Sequence, residues 1–168
     1  MDGRSRKLGF QCDVESEFEL NFNFINSFYK FFENFSWEGV NVKKYKADDG
    51  SWLGVRRYEI VKTDKIHFRY FEIDEGGYST LEKHEHEHIV MCIRGSGIVV
   101  FGSEFRRMKP YDVVHIKSWQ VHQFIADKEI FGFVCVVPAK RDKPTKLSEE
   151  EINELLKQNP SLKGVIRF

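Results

Sequence analysis

From about Val40 onward the chain alternates apolar and polar residues in short bursts. The segments VNVKKYKA, GVRRYEIV, KIHFRYFEI and HIVMCIR come first, followed by GIVVFG, EFRRMK, DVVHIK, HQFIA and IFGFVCVV. All are rich in Val, Ile, Phe and Tyr, whose branched or flat side chains suit a pleated, half-buried surface. Turn signals separate them, among them Asp48-Asp49-Gly50, Glu75-Gly76-Gly77 and Gly95-Ser96-Gly97. Regular short strands of this kind predict one all-β domain over 40–140, either a sandwich or a barrel.

Two flanking segments follow a helical period instead. Phe24, Phe28, Phe31, Phe32 and Phe35 recur at i, i+4, i+7, i+8 and i+11, which predicts an amphipathic helix inside an N-terminal extension, 1–39, stopped by Gly39. Residues 1–16 ahead of it are polar and read as loose chain. In the C-terminal part, 141–168, Ser148 and Glu151 have capping-box spacing, Ile152, Leu155 and Leu156 make an apolar stripe, and Asn159-Pro160 is a stop. Within HIVMCIR, strand alternation turns His88, Val90 and Cys92 to one face and Ile89, Met91 and Ile93 to the other. That second row, added to the aromatic N-terminal segment, is more apolar surface than a small barrel leaves open, so a homodimer is expected.

Length and charge narrow the setting. A chain of 168 residues suits one domain with a real core. Lys plus Arg number 26 and Asp plus Glu also number 26, so no basic footprint for nucleic acid or an anionic membrane is expected, and a small-molecule ligand is the default partner. Cys12, Cys92 and Cys135 lie in no CxxC spacing, which argues for free thiols in a reducing cytoplasm rather than a disulfide framework. There is no run of roughly 18 apolar residues to span a membrane, and MDGRSRKLGFQCD lacks a signal-peptide core.

Candidate chemistry concentrates in TLEKHEHEHIVMCIRGSG, where Glu82, His84, His86 and His88 occupy every second position. On an extended strand all four point to one face, either to share an ion or to form a charged, solvated edge. A single strand offers only a flat row, so a metal needs a further ligand from another strand. The stretch MKPYDVVHIKSWQVHQF supplies one in His122.

These two stretches together resemble the cupin superfamily. Its first motif (Gly, five residues, His, one, His, three or four, Glu, six, Gly) is met here by Gly76, Glu82, His84, His88 and Gly95, with glutamate and histidine exchanged between the outer ligand slots. Of the named positions of its second motif only His122 remains, in a segment of similar apolar rhythm. The resemblance spans about Phe68 to Val137 and implies a double-stranded β-helix, a jelly-roll-like barrel, with short N- and C-terminal helices. It implies the metal ligands Glu82, His84, His88 and His122, three imidazoles and a carboxylate that suit one divalent transition ion (Fe, Mn, Ni, Co or Zn). His86 falls in the turn between ligand positions, at the mouth, where it would shuttle protons or touch substrate. Cys92, Tyr78, Trp119 and Phe124 are candidate pocket residues, with Tyr70, His115 and Gln123 as weaker ones.

The superfamily hosts many chemistries, so the activity stays open. A metal-dependent enzyme of oxygenase type comes first, on the ground that the inward positions are mostly apolar. Isomerase or lyase action on a small carbonyl compound comes second. A non-catalytic sensor module is the remaining class.

Overall fold

A computed structural model describes residues 28–45 and 51–168. The polar stretch 1–16, Cys12, Phe24 and the Asp48-Asp49-Gly50 turn lie outside the described residues.

Among the described residues nine of the thirteen strands belong to the expected series, and a tenth, Glu82–Lys83, is the short start of the histidine stretch. They are β3 (Val42–Lys44), β4 (Leu53–Lys62), β5 (Ile66–Tyr78), β6 (Glu82–Lys83), β7 (His88–Arg94), β8 (Gly97–Phe101), β9 (Glu104–Met108), β10 (Val113–Ile116), β11 (His122–Ala126) and β12 (Phe131–Pro138). With β13 (Thr145–Lys146) they form one antiparallel sheet in the order β10-β7-β12-β5-β11-β6-β13, to which β4 adds on β5, β3 on β4, β8 on β11 and β9 on β8. The sheet curls on itself as a nearly closed barrel, because β11 pairs with β5, β6 and β8 together.

Alternation decides what fills it. Val55, Phe71, Ile73, Val90, Phe124 and Phe133 turn inward and pack as one apolar cluster. The Gly95-Ser96-Gly97 turn leads from β7, paired with β10 and β12, into β8, paired with β9 and β11; a Cβ on Gly95 would stand 1.9 Å from the Ile130 carbonyl oxygen, and its φ of +58° is one that glycine adopts without strain.

At the C-terminus α1 (Glu149–Gln158) begins as the sequence predicts. Ser148 Oγ accepts from the Glu151 N–H, and the Glu151 carboxylate accepts from the Ser148 N–H. A short 3-10 helix, Pro160–Gly164, follows, and Leu155, Leu162 and Ile166 seal against Leu81, Val100 and Ile125 on the barrel wall.

The N-terminal segment departs from expectation. Over the described residues, Phe31–Phe32 (β1) and Ser36–Trp37 (β2) form a hairpin, not a helix. Phe, Asn and Ser are weak helix formers, and rings this dense satisfy more than one period. Phe31 packs edge-on against both Phe35 and Trp37, at 5.5 Å between ring centroids, while Phe35 (5.9 Å) and Trp37 (5.2 Å) both sit on Tyr70. Met91 and Ile93 of the outward row pack in this same cluster, whereas Ile89 stays 53% exposed.

Candidate metal centre and its cavity

The ligand strand breaks where the alternation would have carried it straight through. β6 ends at Lys83 and β7 begins at His88, so residues 84–87 form a turn that folds His84 back toward His88. The neighbouring strand β11 sets His122 opposite Glu82 in register. Three imidazoles meet as a result: the candidate ligand nitrogens of His84, His88 and His122 all lie within 4.8 Å of one another, and all three residues are buried. Glu82 stands beside them, its Oε1 3.8 Å from His122 Nε2.

Each ring is held by its outer nitrogen. His84 Nδ1 lies 2.7 Å from the His86 carbonyl oxygen and His122 Nδ1 2.9 Å from that of Gln120. A carbonyl only accepts, so both Nδ1 atoms carry the proton and both Nε2 lone pairs are free. His88 Nδ1 lies 3.7 Å from Cys135 Sγ, and its Nε2 is buried without any hydrogen-bond partner. Burial, reinforced by the neighbouring imidazoles, pushes His88 down to about 2, and burial chiefly holds His122 at about 3, so both rings are neutral. Burial also raises the Glu82 carboxyl to about 7. Neutral imidazoles with ring nitrogens gathered within 4.8 Å, one of them buried without a partner, fit a divalent transition ion.

His86 is placed differently from a solvent-facing turn residue. Its ring stacks on His84 at 3.7 Å and its side chain is only 9% exposed. The connector 139–144 holds it there, running from β12 to β13, which pairs with β6. Asp142 on that connector accepts from the backbone N–H of Glu85 (2.8 Å) and of His86 (3.1 Å), and from His86 Nδ1 (2.7 Å). Desolvation opposes ionisation of Asp142, but these bonds outweigh it and hold the carboxyl well below the usual range.

The histidines open into a cavity of about 490 Å³. Phe124 lines it, and so do Cys135, Tyr45 and Trp52. Cys92, Tyr78 and Trp119 do not. Cys92 shares the phase of His88 but sits four residues deeper in β7, packed in the apolar interior with Sγ toward the Arg94 and Gly95 carbonyls. Tyr78, beyond the Gly76-Gly77 bend, joins the cluster under α1. Trp119 has a φ of +60° and is 55% exposed, while its backbone N–H donates to the His84 carbonyl at 2.7 Å. Of the weaker candidates, Tyr70 is in the outer aromatic cluster, Gln123 binds the C-terminal backbone, and His115 pairs with Glu87 at the surface.

Pattern reading missed a cationic wall. Arg57 and Arg69 lie in phase with Val55, Phe71 and Ile73 on the inner faces of β4 and β5, and Arg141 and Lys143 reach the cavity from the connector. An arginine at an inward position between core residues was the available signal.

An all-β barrel with three converging histidines defines the class as a barrel protein with a candidate metal site. Residues 69–137 match the family described as "Cupin domain". A relative from Rhodospirillum rubrum, named 1-methylthio-D-xylulose 5-phosphate methylsulfurylase, is 37% identical over 129 residues, covering 74% of this chain and 83% of that protein. A cupin 2 conserved barrel domain protein from Rhodopseudomonas palustris superposes with a TM-score of 0.80 at 35% identity, covering 84% of this chain and all (100%) of that one. A cupin-2 domain structure from Rhodospirillum rubrum gives 0.74 at 35% identity, with 82% and 94% covered. The chain belongs to the cupin superfamily. Among the described residues no helix is long and apolar enough to cross a membrane.

Proposed function

We propose that this protein is a metal-dependent enzyme acting on a small carbonyl compound of the methylthio-pentulose phosphate kind, bound inside the barrel. One observation carries the reading. Among the described residues three buried side-chain nitrogens lack a hydrogen-bond partner, Arg57 Nε, Arg69 Nε and His88 Nε2, and all three residues line the same cavity. Buried polar groups are normally satisfied, so a cavity that gathers every such orphan is a site awaiting ligands. The name of the Rhodospirillum rubrum relative contains a sugar phosphate, whose negative charge suits the cationic wall. The cationic wall favours this reading over oxygenase chemistry, for which an apolar lining was the argument.

When bound at His84, His88 and His122, the metal would act as a Lewis acid toward a substrate oxygen. The protein's own residues orient and enclose. Phe124, Phe133 and Phe71 line the cavity and limit access of water. His86, with its Nδ1 proton committed to Asp142, keeps Nε2 as the nitrogen available to take or return a proton. Glu82 beside His122 is a second carboxyl group within the cavity.

Elemental analysis of protein purified without chelators tests the centre. We expect about one transition ion per chain, lost by more than about tenfold in His84→Ala and His122→Ala and retained in Glu82→Gln. Metal-loaded protein should then transform 1-methylthio-D-xylulose 5-phosphate, followed by the NMR signal of its methylthio group. A protein free of metal under mild purification overturns the reading, as does a loaded protein that leaves that signal unchanged.

A further inference from the structure

We propose that Arg57, Arg69 and Arg141 form a cradle for a doubly charged phosphate group, which orients the substrate with its reactive end toward His84, His88 and His122. The inference rests on the reading of this cavity as a substrate site and adds the residues that recognise the charge.

Sheet register brings the first two together. Arg57 pairs with Phe71, and Arg69 lies two residues along β5 from Phe71 on the same inward face, so the two guanidiniums are diagonal neighbours. Aromatic rings support both: Arg57 lies 5.8 Å from the Tyr45 centroid and Arg69 5.2 Å from that of Phe71. Arg141 enters from the connector, anchored by the Pro138 carbonyl at 2.8 Å and lying 3.2 Å from His67 Nδ1.

Among the described residues none of the three forms an ion pair, and Arg69 donates only to Cys135 Sγ, at 3.1 Å. The nearby acids are engaged elsewhere, Glu59 with His67 (3.1 Å), Asp142 with His86, and Glu82 against His122. Arg57, Arg69 and Arg141 line one cavity, and burial first and then Arg69 and Arg57 lower the Arg141 pKa, against the opposing pull of Glu59. Three planar forks around one space, two of them with a spare buried N–H, match the oxygens of a phosphate better than the two of a carboxylate.

Calorimetry of the metal-loaded protein with inorganic phosphate as probe tests the cradle. We expect saturable one-to-one binding, with acetate at least about tenfold weaker, and with Arg57→Met and Arg141→Met each weakening phosphate by about tenfold while leaving metal content unchanged. Either substitution suffices, so a folding failure in one leaves the test standing. Metal-free His122→Ala protein should bind phosphate within about threefold of wild type. Phosphate binding that is indifferent to both arginine substitutions, or that vanishes with the metal, overturns the proposal. Arginine-dependent binding in a protein that never carries metal would instead sink the enzyme reading and keep the cradle.

Discussion

His67 shows how a single side chain senses this arrangement. Its ring is buried beside Arg141, between that guanidinium and the Glu59 carboxylate. Burial and then Arg141 lower its pKa below the ordinary histidine value, against the opposing pull of Glu59. A depressed folded pKa means the unfolded chain binds the proton more readily, so this contribution to stability is present above about pH 6.5 and lost as pH falls below it. In phosphate-free buffer His67→Gln should therefore gain stability relative to wild type between pH 7.5 and pH 5.5, read as the difference in urea midpoints. At this scale the sequence was informative about histidines and silent about arginines. Two-residue spacing marks Glu82, His84 and His88 in plain view, and a neighbouring strand with one histidine supplies His122. Arg57 and Arg69 belong to no such motif, and the signal they do offer, an arginine in phase with apolar residues, counts only once the inner faces of β4 and β5 are assigned.

Among the elements, the N-terminal hairpin owes its place to rings and one ion network. Glu72, only 5% exposed, accepts from Tyr70 Oη at 2.8 Å and from Arg56 Nη2 at 2.6 Å, and it also pairs with Arg94. Arg94 in turn lies over the Phe35 ring, 4.7 Å from its centroid, so the network reaches into the hairpin segment. Trp37→Ala removes contacts with Phe31, Tyr58 and Tyr70 and should cost about 2–3 kcal/mol, seen as a fall of roughly 5–10 °C in Tm with metal content unchanged. Strands such as β4 and β7 were legible from alternation because one face is drier than the other, whereas β11 and β12, buried on both faces, showed as short apolar runs. The hairpin was not legible, since phenylalanines at helical spacing also satisfy a sheet-packing role. The capping box was legible because its two hydrogen bonds are local, joining Ser148 and Glu151 across one turn.

Across the molecule, the last residues close the barrel wall. Gln123, fully buried at 0% exposure, donates from Nε2 to the Ser79 and Arg167 carbonyls and accepts from the Arg167 N–H. Gln123→Met would strand these backbone groups at a cost of about 3 kcal/mol, lowering Tm and exposing the C-terminal segment to limited proteolysis. The barrel itself was readable from strand count and motif spacing. How its parts meet was not, because the path of 139–144 depends on contacts far apart in sequence. That short connector carries both Arg141 and Asp142, so it touches the charge-recognising wall and steadies His86 while contributing no histidine to the metal group. The division makes it a natural cassette for engineering: exchanging the connector with that of a relative while keeping Asp142 is expected to change phosphate affinity and leave metal content unchanged.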